Sequence, residues 1–73
     1  MDNLIEIDDT TTMTREQAAA RLHALADALA KNNSVEFQRG GNRITVRIPD
    51  EVELKVEVEI GDGEGELEIE LTW

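Results

Sequence analysis

The one histidine of the chain, His23, is the first side chain to consider for proton-transfer chemistry. Asp27 lies four residues further on, a spacing that places two side chains on the same face of a helix. A general base also needs a nucleophile or a substrate group within hydrogen-bond reach. The one serine, Ser34, has no histidine and aspartate partners in a recognisable arrangement. We therefore interpret His23 and Asp27 as an ordinary surface pair, and we expect no catalytic residues and no enzyme activity.

Three acidic residues, Asp62, Glu64 and Glu66, alternate with glycines and so place carboxylates on a flexible backbone of the kind that binds calcium. The EF-hand pattern requires a bidentate glutamate eleven residues after the first aspartate, and that position is occupied by Trp73. We therefore interpret this segment as a hairpin turn, with a weak and unselective cation site as the alternative. The sequence predicts no metal site and no cofactor.

The charge of the chain limits the partners that it can bind. Seventeen acidic residues against seven basic ones give a formal charge of −10, which repels phosphate backbones and anionic lipid headgroups. We therefore expect no nucleic acid and no membrane partner. No signal peptide or long apolar run is recognisable, and the chain has no cysteine, so we expect a cytoplasmic protein.

The same acidic charge indicates a salty environment. Self-repulsion disfavours a folded chain in dilute buffer, but at about 1 M salt the Debye length is only about 3 Å and the repulsion is mostly screened. Only two of the seven basic residues are lysines, which also favours a salt-adapted protein. The alternative is an ordinary acidic domain of a mesophile.

The pattern of residues predicts a short strand and then a helix. Residues 3–8 alternate with period two, which indicates a first strand. Thr14 and Gln17 have the capping-box spacing, so Thr14 is the predicted N-cap of the helix, and Met13 and Ala18 are placed to form a hydrophobic staple. One apolar stripe follows with the 3.6-residue period and is expected to face a sheet. It consists of Ala18, Leu22, Leu25, Ala26 and Leu29.

After Ser34 every strand alternates apolar and charged residues, so each has one apolar side. A two-residue turn at Gly40 and Gly41 pairs apolar residues with apolar residues, which a sheet with one buried face requires. The predicted pairs are Phe37 with Ile44 and Val35 with Val46. A phosphate-binding loop is the poorer interpretation of these glycines, because no Gly-Lys-Ser/Thr sequence follows them.

Two further connections complete the predicted sheet. A turn at residues 49–51 brings apolar residues and opposite charges together in pairs. These pairs are Ile48 with Val52, Val46 with Leu54, Arg47 with Glu53 and Arg43 with Glu57. A last hairpin around residues 61–65 pairs Ile60 with Gly65, Val58 with Leu67, Val56 with Ile69 and Lys55 with Glu70. It also places Glu57 opposite Glu68 and Glu59 opposite Glu66, like-charge pairs that predict salt-dependent stability.

The last two strands carry a row of apolar side chains that one helix is too narrow to cover. A surface of this size is disfavoured in water, and a second copy of the chain could bury it. We therefore predict a homodimer whose interface includes Val56, Val58, Leu67, Ile69, Leu71 and Trp73. A monomer with a curled hairpin under an oblique helix is the alternative. We expect Trp73 to pack over the open end of the helix and sheet, with a subunit contact as its alternative role.

Several sequence segments together resemble the amphi-Trp domain family over nearly the whole chain. They are T-R-E-Q-A-A-A-R-L-H-A-L-A-D-A-L-A, I-P-D-E-V-E-L-K-V-E-V-E-I and the final G-E-L-E-I-E-L-T-W. The resemblance implies small proteins, common in salt-loving archaea and also found in bacteria, with alternating charged and apolar residues and a tryptophan near the end. It implies no activity and supplies no catalytic or ligand-binding residues.

The predicted fold is a single α+β domain over residues 1–73. It consists of a strand, a helix and then a four-stranded antiparallel meander, with the helix packed on one face of the sheet. The predicted function is that of a non-catalytic protein-interaction or assembly module, either as a homodimer or with another protein. A small-ligand or cation-binding domain is the alternative, based on the apolar cleft that such sheets can form.

Overall fold

A computed structural model of the chain describes residues 6–73. One helix precedes four strands, which confirms the predicted α+β class. The elements are α1 (Arg15–Asn32), β1 (Ser34–Arg39), β2 (Asn42–Arg47), β3 (Glu53–Gly61) and β4 (Glu64–Thr72). The strands form two separate antiparallel pairs, β1–β2 and β3–β4, which we call the first and the second hairpin.

Helix α1 begins where the capping box predicts. The Thr14 side chain accepts a hydrogen bond from the Gln17 amide at 3.1 Å, and the Gln17 side chain accepts one from the Thr14 amide at 3.0 Å. These two bonds satisfy amides that would otherwise have no partner in the first turn. At the other end Asn33 adopts the left-handed conformation with φ 55°, which ends the helix.

The first hairpin has the predicted register. Gly40 and Gly41 both have positive φ, 55° and 83°, as a two-residue type I′ turn requires. Phe37 therefore lies opposite Ile44, and Val35 lies opposite Val46. Helix α1 packs on β1, where the odd-numbered apolar residues are half-buried.

The second hairpin also has the predicted register, with Val56 opposite Ile69 and Val58 opposite Leu67. Pairing continues to Gly61 and Glu64, so that two residues, Asp62 and Gly63, make the turn. Each strand of this hairpin has nine residues, against six in each strand of the first. The longer of the two sheets is therefore the one that has no helix against it.

The predicted single meander is not confirmed at its central pairing. Strands β2 and β3 are not hydrogen-bonded, and no Cα atom of β3 lies within 8 Å of one in β2. The pairs Arg47–Glu53 and Arg43–Glu57 are therefore not formed within one chain. The Ile48 amide donates to the Asn33 carbonyl at 2.9 Å, which ties the end of β2 to the helix, and Pro49 has no amide to donate to a turn. Exposed ion pairs contribute only about 0.2–1 kcal/mol, too little to enforce the turn.

The predicted first strand, residues 3–8, lies partly outside the described residues. Residues 6–8 are described and do not form a strand. The Arg39 side chain donates a hydrogen bond to the Glu6 carbonyl at 3.2 Å, so this segment runs beside the end of β1. The structure therefore confirms two parts of the predicted order of elements, which are the helix and the two hairpins after it.

No residue in the described part of the chain is buried. Apolar side chains between α1 and the first hairpin are half-buried, while Leu22 and Leu25 on the helix remain 47% and 37% exposed. Strand β1 therefore covers only part of the apolar stripe of the helix.

Candidate functional site

The candidate site is the apolar side of the second hairpin. Opposite residues in an antiparallel pair lie on the same face, so the register aligns two apolar rows. We call this surface the hairpin apolar face. It consists of Leu54, Val56, Val58, Ile60, Leu67, Ile69 and Leu71.

The hairpin apolar face is open to solvent along most of its length. Six of its seven side chains are between 47% and 85% exposed, and Ile60 near the turn is the most exposed. Leu71, at the base of the hairpin, is half-buried. No other helix or strand of the described chain comes within 8 Å, Cα to Cα, of the two strands of this hairpin. Contiguous exposed apolar patches are uncommon on the surfaces of soluble monomers.

All six predicted interface residues belong to this hairpin or follow it directly. Five lie on the hairpin apolar face, and Trp73 follows the end of β4. The expected packing of Trp73 over the helix is wrong, because its side chain is 65% exposed. By continuation of the register Trp73 lies near Val52, and the two residues line one shallow depression beside Glu53. Trp73 thus extends the exposed apolar surface rather than closing it.

The base of the second hairpin is the place where it meets the rest of the chain. A cavity of about 280 Å³ is lined there by Leu29, Ile48, Pro49, Val52 and Leu71, among others. Side chains from the helix, the connection and β4 therefore come together at this one end. No Cα atom of β3 or β4 lies within 8 Å of one in α1.

The opposite side of the second hairpin is acidic and carries a single lysine. Lys55 Nζ lies 2.9 Å from Glu57 Oε2 and 3.4 Å from Glu68 Oε1. Hydrogen bonds to Glu57 and then to Glu68 raise the pKa of Lys55 above its usual value of 10.5. The predicted like-charge neighbours are confirmed, with Glu57 opposite Glu68 and Glu59 opposite Glu66. Lys55 therefore offsets the first of these two repulsive pairs, and the second has no lysine in the hairpin to offset it.

The residues first considered for chemistry lie apart from this surface. His23 Nδ1 is 3.9 Å from Asp27 Oδ2, and both side chains are exposed on the helix, as an ordinary surface pair would be. Asp62 lies in the turn of the second hairpin, and Glu64 and Glu66 lie in the first part of β4. Within residues 6–73 no three histidine, cysteine, aspartate or glutamate side chains are grouped so that they could hold a metal ion. Ser34 begins β1.

Two features of the structure were missed by sequence reasoning. The first is that β2 and β3 each keep one unpaired edge, because the two hairpins do not join. The second is that Leu22 and Leu25 are exposed. Both residues were assigned to one apolar stripe, and that assignment did not predict their exposure. The available signal was that the stripe has five apolar residues, whereas β1 and β2 have two each on their apolar sides.

Helix α1 is the one helix in residues 6–73. It is not long and apolar enough to cross a membrane. The predicted absence of a membrane partner stays a prediction that rests on charge.

Comparison with models of protein families gives a match over the chain. The model of the Amphi-Trp domain matches residues 1–73. No curated protein and no solved structure matches the chain. The family model covers every element described above, including the capped helix, the two hairpins and Trp73. The chain therefore belongs to the Amphi-Trp domain family.

Proposed function

We propose that this domain is a non-catalytic assembly module that forms a homodimer through the hairpin apolar face, in the cytoplasm of a salt-adapted cell. The observation that supports this proposal most strongly is that six apolar side chains of one hairpin are 47–85% exposed, while no described residue is buried. A chain of this size without a buried core needs another source of stability, and association is the one available without cysteine.

The size of the exposed surface supports a dimer quantitatively. A compact protein of 8.2 kDa has an accessible surface of about 4,500 Å². The chain exposes 6986 Å², which is about 2,500 Å² more than this expectation. Its radius of gyration is 14.2 Å, against about 11 Å for a compact domain of the same length. Obligate homodimers bury about 2,000–5,000 Å² in total, so two copies carry enough excess surface for such an interface.

Charge supports a protein partner over a nucleic acid or a membrane. The formal charge of −10 opposes both of these anionic surfaces. The same charge also opposes association with a second copy at low ionic strength. Salt screens this repulsion but does not weaken the burial of apolar surface. Salt therefore favours the dimer. The proposed location in a salt-adapted cytoplasm has the same basis.

Sedimentation velocity at high salt and micromolar concentration tests the proposal. We expect a species of two 8.2 kDa chains, and a single species of one chain would refute it. Val58→Lys places a charge on the hairpin apolar face and should weaken the dimer at least about tenfold, equivalent to about 1.4 kcal/mol. Glu59→Lys is the matched control, because it introduces the same side chain at the next residue on the acidic side. We expect it to leave the dimer intact or to strengthen it, because it also removes negative charge that opposes association.

A small-ligand binding function is the second candidate, supported by one groove. A cavity of about 640 Å³ lies between α1 and β1 and is lined by Ile7, Arg21, Leu25 and Phe37, among others. Its volume is within the range of about 300–1,000 Å³ that small-molecule sites occupy. Binding of a ligand there should survive Val58→Lys, whereas dimer formation should not. An unchanged dimer in that variant would show that the dimer does not form through the hairpin apolar face.

A further inference from the structure

The seven glutamates of β3 and β4 all lie on the side of the second hairpin opposite to the hairpin apolar face. A copy added at the edge of this hairpin would bring glutamates of the two copies to the strand spacing of about 4.8 Å, and it would leave the apolar face in water. A copy stacked on the face buries the apolar side chains instead. The glutamates then lie on two outer surfaces, which are separated by more than the roughly 10 Å between stacked sheets and so by more than the Debye length of about 8 Å at 0.15 M salt. Face-to-face stacking therefore buries the apolar surface with the least repulsion.

The register divides the apolar side of this hairpin into five cross-strand rows that follow one another from base to turn. The first row, which we call the base row, consists of Val52 and Trp73 and follows by continuation of the register. The last row, which we call the turn row, consists of Ile60 and Gly65. Tryptophan has the largest side chain of all residues and glycine has none. The apolar side is therefore thick at the base and thin at the turn.

This difference in thickness distinguishes the two ways in which two such hairpins can stack with two-fold symmetry, with their turns at the same end or at opposite ends. With the turns at the same end, both tryptophans occupy one end layer and both glycines occupy the other, so the gap between the sheets is a wedge. With the turns at opposite ends, each base row faces a turn row and the two end layers hold the same four side chains. Stacked sheets keep a constant spacing of about 10 Å and pack without voids. Opposite ends therefore give the better packing.

The position of the rest of the chain favours the same arrangement. Leu29 of α1 and Ile48 line one cavity with residues at the base of the second hairpin, so the first half of the chain lies at that end. Hairpins stacked with their turns at the same end would bring the first halves of both copies together there, whereas opposite ends keep them apart. Ile60 and Trp73 are the two most exposed large apolar side chains in residues 6–73, at 85% and 65%. With the turns at opposite ends, each of them is covered by the other from the second copy.

We propose that the second hairpins of two copies stack face to face with their turns at opposite ends, so that Trp73 of each copy packs on the turn row of the other. The two-fold axis passes between the two copies of the middle row, Val56 and Ile69. Aligned sheets cross at about 30°, so an end row faces an end row rather than one residue facing one residue. This inference rests on the proposed homodimer. It specifies the orientation of the two copies and the contact of Trp73, where the proposed function requires only that the hairpin apolar face be buried.

Quenching of tryptophan fluorescence by a spin label tests the orientation. The chain has one tryptophan, no tyrosine and no cysteine, so the fluorescence reports on Trp73 and one introduced cysteine carries one label. The labelled chains carry Trp73→Phe and a nitroxide either at Asp62→Cys, in the turn, or at Glu51→Cys, which is the matched control at the base. Each labelled chain is mixed in excess with unmodified protein, which supplies the one tryptophan of the mixed dimer. A nitroxide quenches tryptophan only at short range, and the two label sites lie about 30 Å apart along the hairpin.

We expect the label in the turn to reduce the fluorescence of Trp73 at least about twofold, since stacking brings the two within roughly 10 Å, and the label at the base to reduce it little. Stronger quenching by the label at the base would show that the turns lie at the same end. Equal quenching by the two labels, or none by either, would show that Trp73 has no preferred contact with the turn. In a protein that sediments as a dimer, each of these results would overturn the orientation and leave the proposed dimer intact. Sedimentation of the unmodified protein as a single chain would refute the proposed function itself.

A side chain added in the turn row gives an independent measurement that needs no label. Gly65 has no positive φ and a Cβ there would meet no heavy atom within 4 Å, so a single chain accommodates Gly65→Leu. With the turns at opposite ends the new side chain crowds the tryptophan of the second copy, and we expect the dimer to weaken at least about fivefold. With the turns at the same end it would fill the gap, so a tighter dimer would overturn the orientation. Gly61→Leu is the matched control, because Gly61 has the same freedom but lies on the acidic side, and it should change the affinity little.

A double-mutant cycle shows whether the loss of affinity comes from Trp73. Residues 65 and 73 lie about 27 Å apart within one chain, so any coupling between them reports a contact between copies. Trp73→Ala relieves the crowding in a Gly65→Leu chain, and we expect it to reduce the affinity less there than in the unmodified chain. Effects on affinity that are simply additive would overturn the contact between Trp73 and the turn row.

Discussion

Thr14 is the side chain on which the start of the helix most depends. It exchanges two hydrogen bonds with Gln17 at the N-terminus of α1. Thr14→Ala removes the side-chain acceptor, and loss of an N-cap of this type costs about 1 kcal/mol. We expect the free energy of unfolding to fall by about this amount, measured by urea denaturation at fixed protein concentration. Thr12→Ala, in the exposed segment before the helix, should change it little, and an equal loss in both variants would contradict the capping role.

Lys55 makes stability depend on pH in the alkaline range. Its pKa is raised in the folded chain, first by the hydrogen bond to Glu57 and then by that to Glu68. A raised pKa means that the stabilisation is fully present below the usual value of 10.5 and is lost as pH rises through the folded-state value. We expect Lys55→Gln to be less stable than the unmodified protein at neutral pH. The difference should shrink at strongly alkaline pH, and a difference that stays constant across that range would contradict the assignment.

At the scale of elements, local chemistry determines each hairpin on its own. Gly40 and Gly41 adopt the two positive φ values that their turn requires, and this turn fixes the whole register of the first hairpin. The alternation of apolar residues fixes which face each strand of the second hairpin presents. These features depend on residues close together in sequence, and for that reason they were predictable.

The joining of the hairpins was not predictable in the same way. The predicted pairing of β2 with β3 matches apolar residues with each other and opposite charges with each other, but it does not form. The pattern of strand residues does not reveal this, because the pairing also depends on the path of residues 48–52 and on the tie between Ile48 and Asn33. The side chains of the candidate site were therefore predictable from sequence, but the exposure of Trp73 and the free edges were not.

Gly41 offers a test of the turn that separates backbone conformation from packing. Its φ is 83°, whereas Gly65 in β4 has no positive φ, and a Cβ at either position would meet no heavy atom within 4 Å. Gly41→Ala should therefore destabilise the protein through backbone strain alone, by about 1–3 kcal/mol. Gly65→Ala should be neutral or slightly stabilising, since it reduces the freedom of the unfolded chain. Thermal unfolding of the two variants compares these effects, and equal stability would show that the turn tolerates a side chain.

At the scale of the whole molecule, apolar burial and charge repulsion act against each other. The excess surface of the chain favours association, while a charge of −10 on each copy opposes it. Because salt screens only the charge repulsion, ionic strength sets the balance between monomer and dimer. Attraction between oppositely charged side chains of two copies also weakens with salt, but each copy carries a net charge of −10, so repulsion is the main interaction that salt screens.

We therefore expect the dissociation constant of the dimer to rise as salt is lowered from about 2 M to about 0.1 M, where the Debye length reaches about 10 Å. The unrelieved pair Glu59–Glu66 should account for part of this dependence. The double variant Glu59→Gln/Glu66→Gln should flatten the dependence of the dissociation constant on salt. The double variant Asp50→Asn/Glu51→Gln removes the same charge from the connection between the hairpins and should flatten this dependence less. Sedimentation equilibrium across the salt series measures all three proteins. A dimer that tightens as salt is lowered would show that attraction between hairpins outweighs the net charge, and the assignment to a salt-adapted cytoplasm would lose its physical basis.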